Sequence, residues 1–167
     1  MIVNPDGIIV GKHRKVHLFD IDIPGRITFK ESDSLTGGSS CTVVQTPWGG
    51  LGVGICYDIR FPELYRAMGT VDCHIIPAAF TYTTGKAHWE ILLRARAIEN
   101  QSYVISSAQG GIHLNQRRTW GHSMLIDPWG AVLADLPEGE GFITGALSKE
   151  KINEVRSQLP ALAHRKL

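Results

Sequence analysis

The sequence predicts an α+β domain built in layers, on three observations. Three segments share one hairpin pattern, further apolar runs read as strands, and helical signals are confined to three stretches. Ile2-Val3 and Ile8-Ile9-Val10 flank Asn4-Pro5-Asp6-Gly7. Val43-Val44-Gln45 and Leu51-Gly52-Val53-Gly54-Ile55 flank Thr46-Pro47-Trp48-Gly49. Met124-Leu125-Ile126 and Ala131-Val132-Leu133 flank Asp127-Pro128-Trp129-Gly130. In each turn Pro presets the second position, Gly suits the fourth, and Asn or Asp at the first can bond the local backbone.

Further strands are expected at Cys73–Pro77, Tyr103–Ala108 and Phe142–Leu147. The best helix runs from about Lys86 to Glu99, with Ile91, Ala95 and Ile98 on one face and Glu90 one turn before Arg94. A short helix opens at Pro62 and ends before Gly69, and a third covers Ser148–Gln158 ahead of Pro160.

Bulk properties fit a soluble protein of a reducing, cytoplasmic compartment. The 167 residues are one domain's worth, 43% are hydrophobic, and net charge is +1 with both signs interleaved. No basic face points to nucleic acid, no signal-peptide pattern opens the chain, and no apolar run approaches a membrane span. Cys41, Cys56 and Cys73 are odd in number and lack CxxC spacing, which argues against a disulfide framework and a zinc site.

The most informative stretch is Gly54-Ile55-Cys56-Tyr57-Asp58-Ile59-Arg60-Phe61-Pro62-Glu63. It places Cys56 between a buried strand and a helix, at the sheet edge where α/β sites lie. Amides of the following turn can lower a thiol pKa and bind an oxyanion. A small buried cysteine of no chemical consequence would look the same locally.

A second block, Lys12-His13-Arg14-Lys15-Val16-His17-Leu18-Phe19-Asp20, is followed by Pro24-Gly25 and Phe29-Lys30-Glu31-Ser32. A third is Thr84-Gly85-Lys86-Ala87-His88-Trp89-Glu90 through Leu93-Arg94-Ala95-Arg96-Ala97-Ile98-Glu99, and a fourth runs from Gly121-His122-Ser123-Met124 to Gly130. In this order the four blocks resemble the nitrilase superfamily of carbon–nitrogen hydrolases. The resemblance implies a four-layer α-β-β-α sandwich, with residues 1–167 as a partial domain supplying its later, larger part. It also implies a homodimer or larger homo-oligomer, and amide cleavage through a cysteine thioester without metal or organic cofactor.

Residue by residue, the resemblance gives Cys56 as nucleophile and Lys15 as the oxyanion-stabilising lysine. The Tyr57 amide becomes a second oxyanion donor, and Glu31 an accessory glutamate that positions substrate or lysine. Arg60 is placed to grip a substrate carboxylate, or else to pair with Asp58 or Glu63, and Thr84 is a candidate hydrogen-bond donor to substrate. His17, His88 and His122 could suggest a Cys-His dyad, but nothing in their spacing selects one.

The family's general-base glutamate lies N-terminal to the lysine, after a buried strand, and the sequence opens at Met1-Ile2-Val3 just ahead of the lysine block. A fragment, a start at an internal Met, or a remainder on another chain would each account for that, and each leaves this chain impaired alone. The third block and the ending Leu159-Pro160 with His164-Arg165 resemble most the Nit-type branch. That implies a carboxylate-bearing 2-oxo-acid amide of the deaminated glutathione kind. The alternatives are an ω-amidase acting on small 2-oxo dicarboxylic amides, and a non-catalytic assembly subunit, against which the intact lysine and cysteine blocks count.

Overall fold

The structure is a computed structural model that describes residues 1–23, 27–114 and 116–166. The Pro24-Gly25 pair that follows the lysine block lies outside the described residues. The first hairpin pairs β1 (Ile2–Val3) with β2 (Ile9–Gly11), and Asn4 Oδ1 accepts from the Asp6 and Ile8 amides at 3.1 and 2.8 Å. A hairpin the sequence did not announce follows, β3 (Asp20–Ile23) against β4 (Ile27–Lys30), and a 3-10 turn at Glu31–Asp33 comes after it.

The main sheet then builds from β5 (Thr42–Gln45), β6 (Gly50–Val53), β7 (Cys73–Ala78), β8 (Tyr103–Ala108), β11 (Ser123–Ile126) and β12 (Val132–Leu136). Between β8 and β11 sits a small hairpin of β9 (Gly110–Ile112) and β10 (Arg118–Trp120). The sheet order is β12-β11-β8-β7-β6-β5. The central β6, β7 and β8 run parallel and the outer strands antiparallel. The second and third predicted hairpins are therefore its two edges.

Three helices cover the sheet: α1 (Pro62–Ala67), α2 (Tyr82–Asn100) and α3 (Lys149–Gln158). One face of the sheet packs on α1 and α2 through Tyr65, Ile76, Trp89, Leu93, Val104 and Met124. The other packs Cys73, Tyr103 and Leu125 on Ile152 of α3. Ser148 caps α3 by accepting from the Lys151 amide at 3.0 Å, as its place before the helix requires.

Three expectations need correction. The Ile91-Ala95-Ile98 face of α2 does not face the core: Ile91 is 69% and Ile98 49% exposed. Trp89, Leu93, Arg96, Ala97 and Asn100 hold the same 3.6-residue period one face over, and the larger stripe is the buried one. Residues 142–147 form no strand. Ile143 and Leu147 lean on the α3-side core while Phe142 is 86% exposed, so the segment packs on the sheet without joining a ladder. Helix α2 also begins a turn earlier than expected, which puts Thr84 on it. Gly85 permits that start, because a Cβ there would lie 2.3 Å from Cβ of Trp120.

Candidate active site

The carboxyl ends of the parallel strands meet at one cleft of about 410 Å³. After β6 the chain passes Gly54 and Ile55 and turns sharply at Cys56, which opens a 3-10 turn over Cys56–Arg60. Cys56 has φ of 50°, left-handed for a residue with a side chain, a conformation that costs on the order of 1–3 kcal/mol and persists only where surroundings enforce it. Gly54 is part of that enforcement. A Cβ at this position would lie 2.4 Å from the hydroxyl of the buried Tyr65. Arg96 ties α2 to the turn, its Nε donating to the Ile59 carbonyl at 2.9 Å.

Asp58 fixes the turn from within. Its carboxylate is fully buried and accepts from the Ile55 amide at 3.0 Å, the His17 amide at 2.8 Å and the His17 ring at 2.9 Å, with His13 Nε2 at 3.5 Å. Burial opposes its ionisation. The hydrogen bonds from His13, His17 and Ile55 outweigh that and hold the carboxyl below the usual range. Since His13 and His17 flank Lys15 in sequence, one carboxylate joins the lysine loop to the cysteine turn.

Lys15 lines the cleft and bonds through Nζ to Glu31 Oε2, which also accepts from the Phe19 amide at 2.7 Å. The side chains are 10% and 19% exposed, so the pair is largely withdrawn from water. The backbone amides of Ala79, just past β7, and of Tyr57 act on the Cys56 thiol. The expected lowering of its pKa is reversed: burial pushes the thiol above its ordinary value. The Ala79 and Tyr57 amides and the Lys15 charge pull it back only in part, and Glu31 opposes them.

Arg60 also lines the cleft, though not as an ion-pair partner of Asp58 or Glu63. Both terminal nitrogens lie 3.3 Å from His88 Nδ1, and the guanidinium sits over Phe80 at 5.2 Å and Tyr57 at 6.0 Å. Thr84 reaches the cleft with its hydroxyl 2.6 Å from that of Thr81. Of the histidines weighed for a dyad, His17 stacks on Phe61 at 3.6 Å, His88 meets Arg60, and His122 bonds Asp135 at 2.9 Å.

Asp58, Ala79 and Arg117 were not anticipated. An acid two residues past a turn-forming cysteine, with two histidines spaced four apart upstream, was the available signal for Asp58. Ala79 and Arg117 reach the site from β7 and from the hairpin of β9 and β10, and no local pattern marks them.

A left-handed cysteine turn, the Ala79 and Tyr57 amides beside its thiol and a lysine–carboxylate pair thus line one cleft. Residues 1–157 match the carbon–nitrogen hydrolase family, and the chain belongs to that family. It is 47% identical to a deaminated glutathione amidase of Dictyostelium discoideum, over 100% of this chain and 59% of that protein. It is 44% identical to the omega-amidase NIT2 of Xenopus tropicalis, over 99% and 60%. The crystal structure of Saccharomyces cerevisiae Nit3, of branch 10 of the nitrilase superfamily, superposes with a TM-score of 0.80 at 40% identity, covering 94% of this chain and 55% of that one. The chain thus spans about three fifths of the length of the curated relatives it matches. The α+β class and nitrilase-like architecture expected from the sequence are those found. Among the described residues, no helix is long and apolar enough to cross a membrane.

Proposed function

We propose that the chain is the cysteine-bearing part of an amidase that hydrolyses a carboxylate-bearing 2-oxo-acid amide of the deaminated glutathione kind. The carrying observation is the left-handed Cys56 turn with the Lys15–Glu31 pair lining the same cleft. The thiolate attacks the amide carbon. Charge gathering on the former carbonyl oxygen is met by the Lys15 ammonium and the Tyr57 amide, each good donor contributing about 3 kcal/mol. The C–N bond breaks, ammonia or an amine departs with the proton that the thiol gave to the family's carboxylate base on attack, and a thioester on Cys56 remains. Water hydrolyses the thioester with a carboxylate as base, the role the family resemblance gives to a glutamate upstream of the lysine block. Glu31 holds Lys15 in place, and Arg60 and Thr84 line the substrate's path. No cofactor enters these steps.

Residues 1–167 act as one partial domain. The exposed Ile91 and Ile98 on the outer face of α2 support assembly with a second copy. The three free thiols suit the cytoplasm. The 44% identity to an omega-amidase supports a second reading, with short 2-oxo dicarboxylic amides as substrates.

The experiment is single-turnover acylation. The protein is mixed with deaminated glutathione, a short 2-oxo dicarboxylic amide or a neutral aliphatic amide, quenched in acid and read by peptide-resolved mass. An acyl adduct on the Cys56 peptide from an acidic amide, absent in Cys56→Ser, is expected. Acylation only by the neutral amide, or none at all, overturns the reading, and the better of the two acids separates the branches.

A further inference from the structure

Arg60 lines the cleft, while His88 stands exposed on α2, outside the cleft lining. Both terminal nitrogens of Arg60 lie 3.3 Å from the same atom, His88 Nδ1. An arginine only donates, so Nδ1 accepts and the imidazole carries its one proton on Nε2. The equal distances fix which edge of the guanidinium is used. The end edge, formed by the two Nη groups, points at the histidine. The side edge, formed by Nε and one Nη, is the second fork that a planar guanidinium offers a carboxylate. The contact is held from both partners. Arg96 of α2 donates to the Ile59 carbonyl at 2.9 Å, which ties the backbone just before Arg60 to the helix. Trp89, next to His88, is fully buried and its Nε1 donates to the His122 carbonyl at 2.8 Å. The Phe80 and Tyr57 rings, both in the cleft lining, stand 5.2 and 6.0 Å from the guanidinium and limit its swing.

We propose that His88 is a positioning residue: it occupies the end edge of Arg60 and so turns the side edge to the carboxylate of an acidic amide, an inference that rests on the carboxylate-bearing substrate reading above. A long arginine side chain loses rotamer freedom when it grips a ligand. An acceptor already seated on one edge takes that loss before substrate arrives. The acceptor is also of the right charge. A carboxylate in its place would cancel the guanidinium and compete with the substrate, whereas a neutral imidazole directs the fork and leaves its full positive charge to the ligand. A residue outside the cleft thereby sets the preference inside it for acidic over neutral amides.

The test uses two thiol probes that differ by one carboxylate, 3-maleimidopropionate and N-ethylmaleimide. Rate constants for modification of Cys56 are read peptide by peptide at low ionic strength, and Cys73, fully buried, stays unlabelled in any variant that remains folded. In Arg60→Gln the ratio of anionic to neutral rate should fall about fivefold, the weight of one close charge in a wet site. In His88→Leu and His88→Ala it should fall about threefold, since the guanidinium keeps its charge and loses its direction. His88→Asn, whose side-chain oxygen can accept where Nδ1 did, should recover most of the parent ratio. In the Arg60→Gln background His88→Leu should change nothing further. If Arg60→Gln lowers the ratio, three results overturn the role of His88 and leave the carboxylate reading standing: a parent-like ratio in His88→Leu, a second fall in the double variant, or an Asn variant no better than Leu. An unchanged ratio in Arg60→Gln overturns the carboxylate reading of Arg60 and the role of His88 with it.

Discussion

Asp58 holds His17 twice, accepting from its backbone amide at 2.8 Å and from its ring at 2.9 Å. The loop that presents Lys15 and the turn that presents Cys56 are thereby one unit. This buried carboxylate, which also accepts from the Ile55 amide at 3.0 Å, fixes the lysine loop relative to the cysteine turn.

Asp58→Asn keeps the shape and removes the charge. A neutral amide accepts weaker hydrogen bonds and turns its NH2 toward donors, so global stability should fall by about 3 kcal/mol in urea titration. The native protein's Asp58 contribution is present above the unfolded carboxyl pKa and fades as pH falls through the lower folded value. A variant as stable as the parent at pH 7 would mean the network is ornamental.

His74 sets a separate acid limit. Its ring is fully buried, both nitrogens lack a partner among the described residues, and burial with the nearby Arg96 charge lowers its pKa to about 3. The unfolded chain binds this proton near pH 6.5 and the folded chain does not, so stability is lost as pH drops through that interval. One proton corresponds to roughly 1.4 kcal/mol per pH unit, or about 2–3 kcal/mol between pH 6 and 4. His74→Leu, of similar volume and with no ring nitrogens to leave unpaired, should flatten that slope by the same amount. An unaltered slope in calorimetry would assign the acid limit elsewhere.

The charges beside Cys56 pull its ionisation in opposite directions. Lys15→Met should raise the thiol pKa and slow alkylation at pH 8, and Glu31→Gln should lower it and speed alkylation. The pH dependence of the Cys56 alkylation rate measures both. Cys73, buried and pushed up to about 12, should stay unlabelled across the range. Shifts of the same sign in the two variants would show that the pair acts by geometry and not by charge.

The contrast between Cys56 and Arg60 shows what the sequence made legible. The Cys56 turn is a local event, specified by Gly54 and by Asp58 two residues on, and its place at a strand end was readable from the chain. Which partner Arg60 meets is decided by His88 on a helix from another crossover, so of its two alternatives the pairing with Asp58 or Glu63 is not the one found. The hairpins behaved like Cys56, because Pro, Gly and an Asx side chain act within four residues. The inner face of α2 behaved like Arg60. Two stripes satisfied the same period, and only the sheet beneath selected Trp89 and Leu93 over Ile91 and Ile98. The thiol pKa was misjudged for a related reason: sequence shows the turn amides but not the burial that outweighs them.

The steric lock under the turn gives the last test. Gly54→Ala would set a methyl 2.4 Å from the Tyr65 hydroxyl and 3.0 Å from its Cζ. Tyr65 is fully buried and cannot swing aside, so the change should cost about 2–3 kcal/mol, as overpacking does. The hydroxyl has no hydrogen-bond partner among the described residues. Tyr65→Phe alone should therefore be within about 1 kcal/mol of neutral, since no bond is lost. Combining the two removes the worst contact and leaves the Cζ approach, so about half of the Gly54→Ala loss should return. Urea titration of the four species closes the cycle, with Cys56 alkylation as a local readout. Strict additivity would show that Tyr65 does not bear on Gly54, and the left-handed Cys56 would then have to be held by Asp58 alone.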